Sequence, residues 1–140
     1  MEKRRGTVRR CAAPLAALAG VALLAGAAHA CEPAGAGRVL ESARYTLAYR
    51  TVPATPDIGE HFVVEFAVCA KGAHVPDREH RVSASAHMPE HRHGMNYAPS
   101  VRALGGGRYR SEGWLFHMPG RWEFVFEVGG ERLTDSVRLE

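Results

Sequence analysis

The chain has 140 residues, 46% hydrophobic and 24% charged, with 15 Gly, 8 Pro, 3 Cys and a formal charge of +3. High apolar content with so small a net charge excludes compositional disorder, and the lack of a G-X-Y or heptad period excludes collagen-like and coiled-coil chains. One folded module fits this length.

The charge is unevenly placed. Lys3, Arg4, Arg5, Arg9 and Arg10 stand against Glu2 alone in the first ten residues, followed by a small, apolar run from Ala12 to Ala28 and an A-x-A site, Ala28-His29-Ala30, before Cys31. This order is that of a secretory signal peptide, so residues 1–30 are expected to be removed on export to the periplasm or beyond. The run is at the short limit for a membrane span, and no second apolar stretch follows. The remaining 110 residues hold 13 Lys/Arg and 14 Asp/Glu, close to −1 with neutral histidines. The basic character therefore belongs to the export signal, and a nucleic-acid partner loses its electrostatic basis.

Cys11 leaves with the signal, so the exported form keeps two cysteines, Cys31 and Cys69. In an oxidising compartment such a pair reads as a disulfide, which would stabilise the fold by roughly 3–4 kcal/mol through loop closure. Lipidation of Cys31 competes, because this residue directly follows the cleavage site, although Ala28 stands where a lipobox usually carries Leu.

Residues 31–37 form a flexible leader, and 38–140 alternate with period two. The first strand centres on Ala43, Tyr45, Leu47 and Tyr49, and Pro53 to Asp57 punctuate it. Phe62, Val64, Phe66 and Val68 mark the second, ending near Lys71-Gly72, with Cys69 on the opposite parity. After a charged loop, Val82, Ala84, Ala86 and Met88 mark a third strand stopped by Pro89. Val101 to Leu104 is a short fourth, closed by Gly105-Gly106-Gly107. A fifth is predicted from Arg108 to Met118. Pro119-Gly120 then turns into a sixth with Trp122, Phe124, Phe126 and Val128, and Gly129-Gly130 into a seventh with Leu133, Val137 and Leu139. About seven short strands without an amphipathic helical window predict an all-β fold, an antiparallel immunoglobulin-like β-sandwich. A small closed barrel shares this strand signature.

One tripeptide repeats, at His87-Met88-Pro89 and His117-Met118-Pro119, and residues 87–95 hold three histidines and two methionines. Methionine is an ordinary core filler, Met88 and Met118 share the parity of core residues, and surface histidines are common. His61, His74 and His80 receive no role on this reading. The concentration of thioethers and imidazoles is what stands out. Together they form a soft to borderline ligand set that suits copper, whereas zinc prefers thiolate, imidazole or carboxylate. A thioether has no proton to lose, so it holds Cu(I) outside the cytoplasm where thiolates are oxidised. If Pro89 and Pro119 end strands at one edge of the sandwich, Met88 and Met118 flank a common mouth, and Gly94 lets His93 and Met95 turn towards it. The candidate ligands are Met88, His93, Met95 and Met118, with His91 and His117 as alternates or Cu(II) ligands. His87 is expected on the opposite face. Trp114 and Trp122 are expected in the core, with one of them a candidate to lie over the metal.

The segment from about Gly59 to Val128 resembles the YtkA-like domain family in MPEHRHGMNYAP and, after a G-R-Y hairpin, LFHMPGRWEF. That resemblance implies a small exported immunoglobulin-like module associated with copper handling and oxidase assembly, with Met88, His93, Met95 and Met118 as the positions carried over. His87, His91 and His117 exceed the family's plainer pattern. The expected function is a copper-binding module, a Cu(I) chaperone or scavenger whose partner is a periplasmic cuproenzyme or oxidase-assembly protein. The alternatives are a metal-free protein-interaction domain and a cupredoxin-type electron carrier built on Cys69, His74 and a Met. No G-x-S-x-G, Walker or H-E-x-x-H pattern occurs, and Glu79, Glu90 and Glu112 read as solvated charges, so no enzymatic activity is expected.

Overall fold

A computed structural model describes residues 37–72 and 81–140. The expected signal peptide, Cys31 with nearly all of the expected leader, His74 and His80 lie outside the described residues. Within them the structure is all-β: β1 (Arg38–Glu41), β2 (Tyr45–Val52), β3 (His61–Ala70), β4 (Val82–Met88), β5 (His93–Gly94), β6 (Ser100–Gly105), β7 (Arg108–Leu115), β8 (Gly120–Val128) and β9 (Glu131–Leu139). Among these residues no helix is long and apolar enough to cross a membrane.

All pairings are antiparallel, in a five-stranded sheet ordered β1-β2-β3-β7-β6 and a four-stranded sheet ordered β5-β4-β8-β9. β2, β3, β7 and β6 stand in the A, B, E and D positions of an immunoglobulin constant-type sandwich, and β4, β8 and β9 in the C, F and G positions. The seven predicted strands are these seven. The two additional ones, β1 and β5, are edge strands of four and two residues, too short for an alternating pattern to register.

Period-two alternation builds the core as expected. Tyr45, Leu47 and Tyr49 of β2 and Phe62, Val64, Phe66 and Val68 of β3 are buried against Ala84, Ala86 and Met88 of β4 and Trp122, Phe124, Phe126 and Val128 of β8. β7 breaks the rule. Ser111 and Trp114 both face inward although three residues apart, because the register slips between Phe62↔Trp114 and Val64↔Ser111. The extra residue is a bulge in which Gly113 adopts φ +91°, a conformation that costs glycine nothing. The buried Trp114 indole donates its Nε1–H to Ser111 Oγ at 2.8 Å, satisfying both polar groups. A second departure concerns the predicted fifth strand. It ends at Leu115 rather than at Met118, so Met118 lies in the β7–β8 connection and not at a strand end.

The sandwich is clamped at the end formed by the β1–β2 and β8–β9 turns. Glu131 accepts hydrogen bonds from Arg44 Nε at 2.7 Å and from the Arg44 backbone N–H at 3.1 Å, and Arg44 also donates to the Gly129 carbonyl. The Ser42 hydroxyl, then the Arg44 guanidinium and backbone N–H, hold the Glu131 carboxyl down to about 2, against an ordinary value of 4.5. A folded-state value below the unfolded one makes the contribution complete above about pH 4.5 and removes it as pH falls towards 2. Thermal stability is expected to drop through that window. Glu131→Gln should melt at a lower temperature at pH 7 and lose less on acidification; an acid slope identical to that of the parent chain would contradict the clamp.

Candidate metal centre

Alternating strand direction gathers several chain ends at one rim: the start of β3 at His61, the end of β4 at Met88, all of β5, the end of β7 at Leu115 and the start of β8 at Gly120. Each sequence-predicted donor between residues 88 and 118 belongs to this end of the molecule. Their environments differ.

Met88 is a core residue, 0% exposed, packed among the buried aromatics. Its methyl end nonetheless reaches Gly120, the residue that directly follows the second tripeptide. A Cβ placed on Gly120, whose φ is +124°, would lie 2.7 Å from Met88 Cε. The first His-Met-Pro element thus inserts its methionine beneath the turn that carries the second. Met118 in that turn is half-buried against the core, and its carbonyl accepts the Trp122 Nε1–H at 3.0 Å.

The imidazoles form a row. His93, paired with Met88 across β5 and β4, stacks on His117 with ring centroids 5.2 Å apart and planes 30° apart, and the exposed His91 ring stands 5.8 Å from His93. Trp122 lies fully buried behind them, in edge contact with His117 at 5.2 Å and with His93 at 6.2 Å. It is both core and site wall, a dual role that alternation alone does not reveal. His87 points to the other face, as expected, with Nε2 3.6 Å from Glu123 Oε1.

Two details bear on chemistry. His93 Nδ1 lies 3.1 Å from the Gly94 carbonyl, which only accepts, so this contact favours the tautomer with the proton on Nδ1 and leaves Nε2 as the nitrogen that could ligate. Among the described residues His117 Nδ1 is buried without a hydrogen-bond partner, an arrangement that ordinarily costs about 1–3 kcal/mol unless another group completes it. The centroids of the His93–His117 pair are 5.2 Å apart, close enough for both rings to border one small site. Among the described residues no three His, Cys, Asp or Glu side chains converge to hold a metal. A site of three or more described side-chain donors at this rim would therefore include thioether sulfur.

The carboxylates near the rim are engaged elsewhere: Glu90 faces Arg121 at 3.3 Å, and Arg110 pairs with Glu112, holding its carboxyl below the usual range. Met95 is half-buried and lines a cavity of about 130 Å³ that it shares with His61, a residue given no role from sequence. Strand direction was the available signal, since β3 must begin where an antiparallel β4 ends. Cys69 lies eight residues along β3 from His61, about 27 Å at strand rise, which takes its sulfur out of reach of the rim and excludes a Cys-His-Met electron-transfer site here. No family model, curated protein or solved structure matches the chain.

The Met88–Gly120 contact is open to a double-mutant cycle. Gly120→Ala should destabilise by about 1–3 kcal/mol through overpacking and positive φ. Combining it with Met88→Ala should cost less than the sum of the two single changes in chemical denaturation. Strict additivity would mean that Met88 and Gly120 do not touch.

Proposed function

We propose that this protein is an exported copper-binding module that captures Cu(I) as a chaperone or scavenger, using His93, His117 and Met118 with Met88, Met95 and His91 around them. The observation that carries this reading is the His93–His117 pair, in which one ring has a buried nitrogen unpartnered among the described residues and a thioether one residue away in sequence. Imidazole with thioether favours a soft or borderline ion, and the buried Trp122 behind the rings excludes water from one side. The resemblance of the Met/His segments to YtkA-like domains points the same way, as does the signal-peptide pattern that would deliver the chain to a compartment where thiolates are oxidised. A periplasmic cuproenzyme or an oxidase-assembly protein is the recipient this reading implies.

Purified protein should bind one equivalent of Cu(I) in competition with a chromophoric chelator. His93→Ala/Met118→Ala should lose roughly 100-fold or more in affinity. Equal affinity of the double variant, or no binding by the parent chain, would refute the reading.

The same proposal includes the Cys31–Cys69 disulfide, whose first cysteine lies outside the described residues. The intact exported protein should weigh two hydrogens less than its reduced sequence mass. A diacylglycerol adduct on Cys31 would instead identify a lipoprotein.

A further inference from the structure

His61 opens β3, and because Phe62 faces the core, alternation turns His61 outward beside its register partner Leu115. The chain leaving β5 then crosses from one sheet to the other through residues 95–99, over this same edge, before entering β6. Between the two lies the cavity of about 130 Å³, walled by His61, Met95, Asn96, Tyr97, Gly113 and Leu115. Its polar lining consists of an imidazole, a thioether, a carboxamide and a phenol, without a carboxylate. Ca²⁺ and Mg²⁺ require anionic oxygen ligands, whereas one nitrogen and one thioether sulfur suit a soft monovalent ion.

Resting on the copper reading above, we infer that His61 and Met95 form a second, outer metal site at which a soft monovalent cation docks on its way to or from the His93/His117/Met118 set. Met95 is suited to such a handover. It packs against the core on one side and lines the cavity on the other, and it lies two residues from His93 on the same face of the chain, roughly 7 Å along the backbone. His61 is exposed, so the ion reaches it from solvent, whereas His93 and His117 are half-buried. A site with two side-chain donors holds its ion more weakly than one with three, which is the order that a one-way transfer needs.

The test uses Ag(I), a redox-inert soft ion, titrated into protein purified from an exporting host and labelled for NMR at His Hε1 and Met methyl positions. The first equivalent should move His93, His117 and Met118, and only the second, weaker equivalent should move His61, with Met95 shifting further as it does. His61→Ala should abolish the second event and slow ion transfer to a small-molecule chelator by about fivefold or more, leaving first-equivalent affinity within about threefold. If His61 stays unmoved through two equivalents, or His61→Ala transfers as fast as the parent chain, the outer site is overturned while the inner one stands. If His61 moves together with His93 in a single event, there is one site and the handover is overturned. Absence of any Ag(I) binding would overturn this inference together with the reading on which it rests.

Discussion

The packing of Phe116 between the sheets is the contact on which the rim depends. Its ring meets Phe62 of β3 at 4.8 Å in its own sheet, and Trp122 at 4.8 Å and Phe124 at 5.6 Å across the sandwich. Aromatic contacts of this kind add to the burial of large apolar surface, and here they also fix a direction. With Phe116 held on one side and Trp122 on the other, the short connection from His117 to Gly120 has little freedom. The Gly59 N–H donates to the Phe116 carbonyl at 2.8 Å, so the loop entering β3 is tied to the same point. The imidazole of His117 is therefore presented by a rigid scaffold although it lies outside a strand.

Most of this architecture was legible in the chain. Alternation in 62–68 and 122–128 identified the inward faces of β3 and β8, and the Gly and Pro clusters marked most of the turns, because burial on one face of a pleated strand imposes a strict period of two. The same reasoning could not see the bulge at Gly113, which shifts parity inside β7 and makes both Ser111 and Trp114 inward-facing. A bulge is an event between two strands, and one strand's residue pattern records it only as a glycine. The premature end of β7 has a related origin. Phe116 and Met118 keep an apolar rhythm after the hydrogen-bonded ladder has stopped at Leu115, since side chains continue to pack where the backbone no longer pairs.

The candidate site was legible by residue type more than by geometry. The repeated His-Met-Pro element drew attention to the end of the molecule where the histidine row lies, and the outward orientation of His87 followed from parity alone. Depth was the hidden variable. Met88 and Met118 look equivalent in the tripeptides, yet one is wholly buried and the other sits in a turn, because the first is the last residue of a strand, on its core face, and the second lies three residues past one. The indole of Trp122 against two imidazoles, and the cavity shared by His61 and Met95, both arise from elements distant in sequence, for which no local spacing exists.

The two long sides of the sandwich are fastened differently. At the β1/β9 side, Asp135 accepts the Tyr49 hydroxyl at 2.7 Å and pairs with Arg38 at 2.8 Å, so one carboxylate joins both sheets along that seam, and the phenol is pushed well above its ordinary value by burial and this carboxylate. At the opposite side the sheets are joined by the covalent crossing between β5 and β6, with β5 only two residues long. The sheets are thus tied by an ionic and hydrogen-bonded seam on one side and by the backbone itself on the other, and the histidine row sits at the corner where that backbone crossing meets the rim.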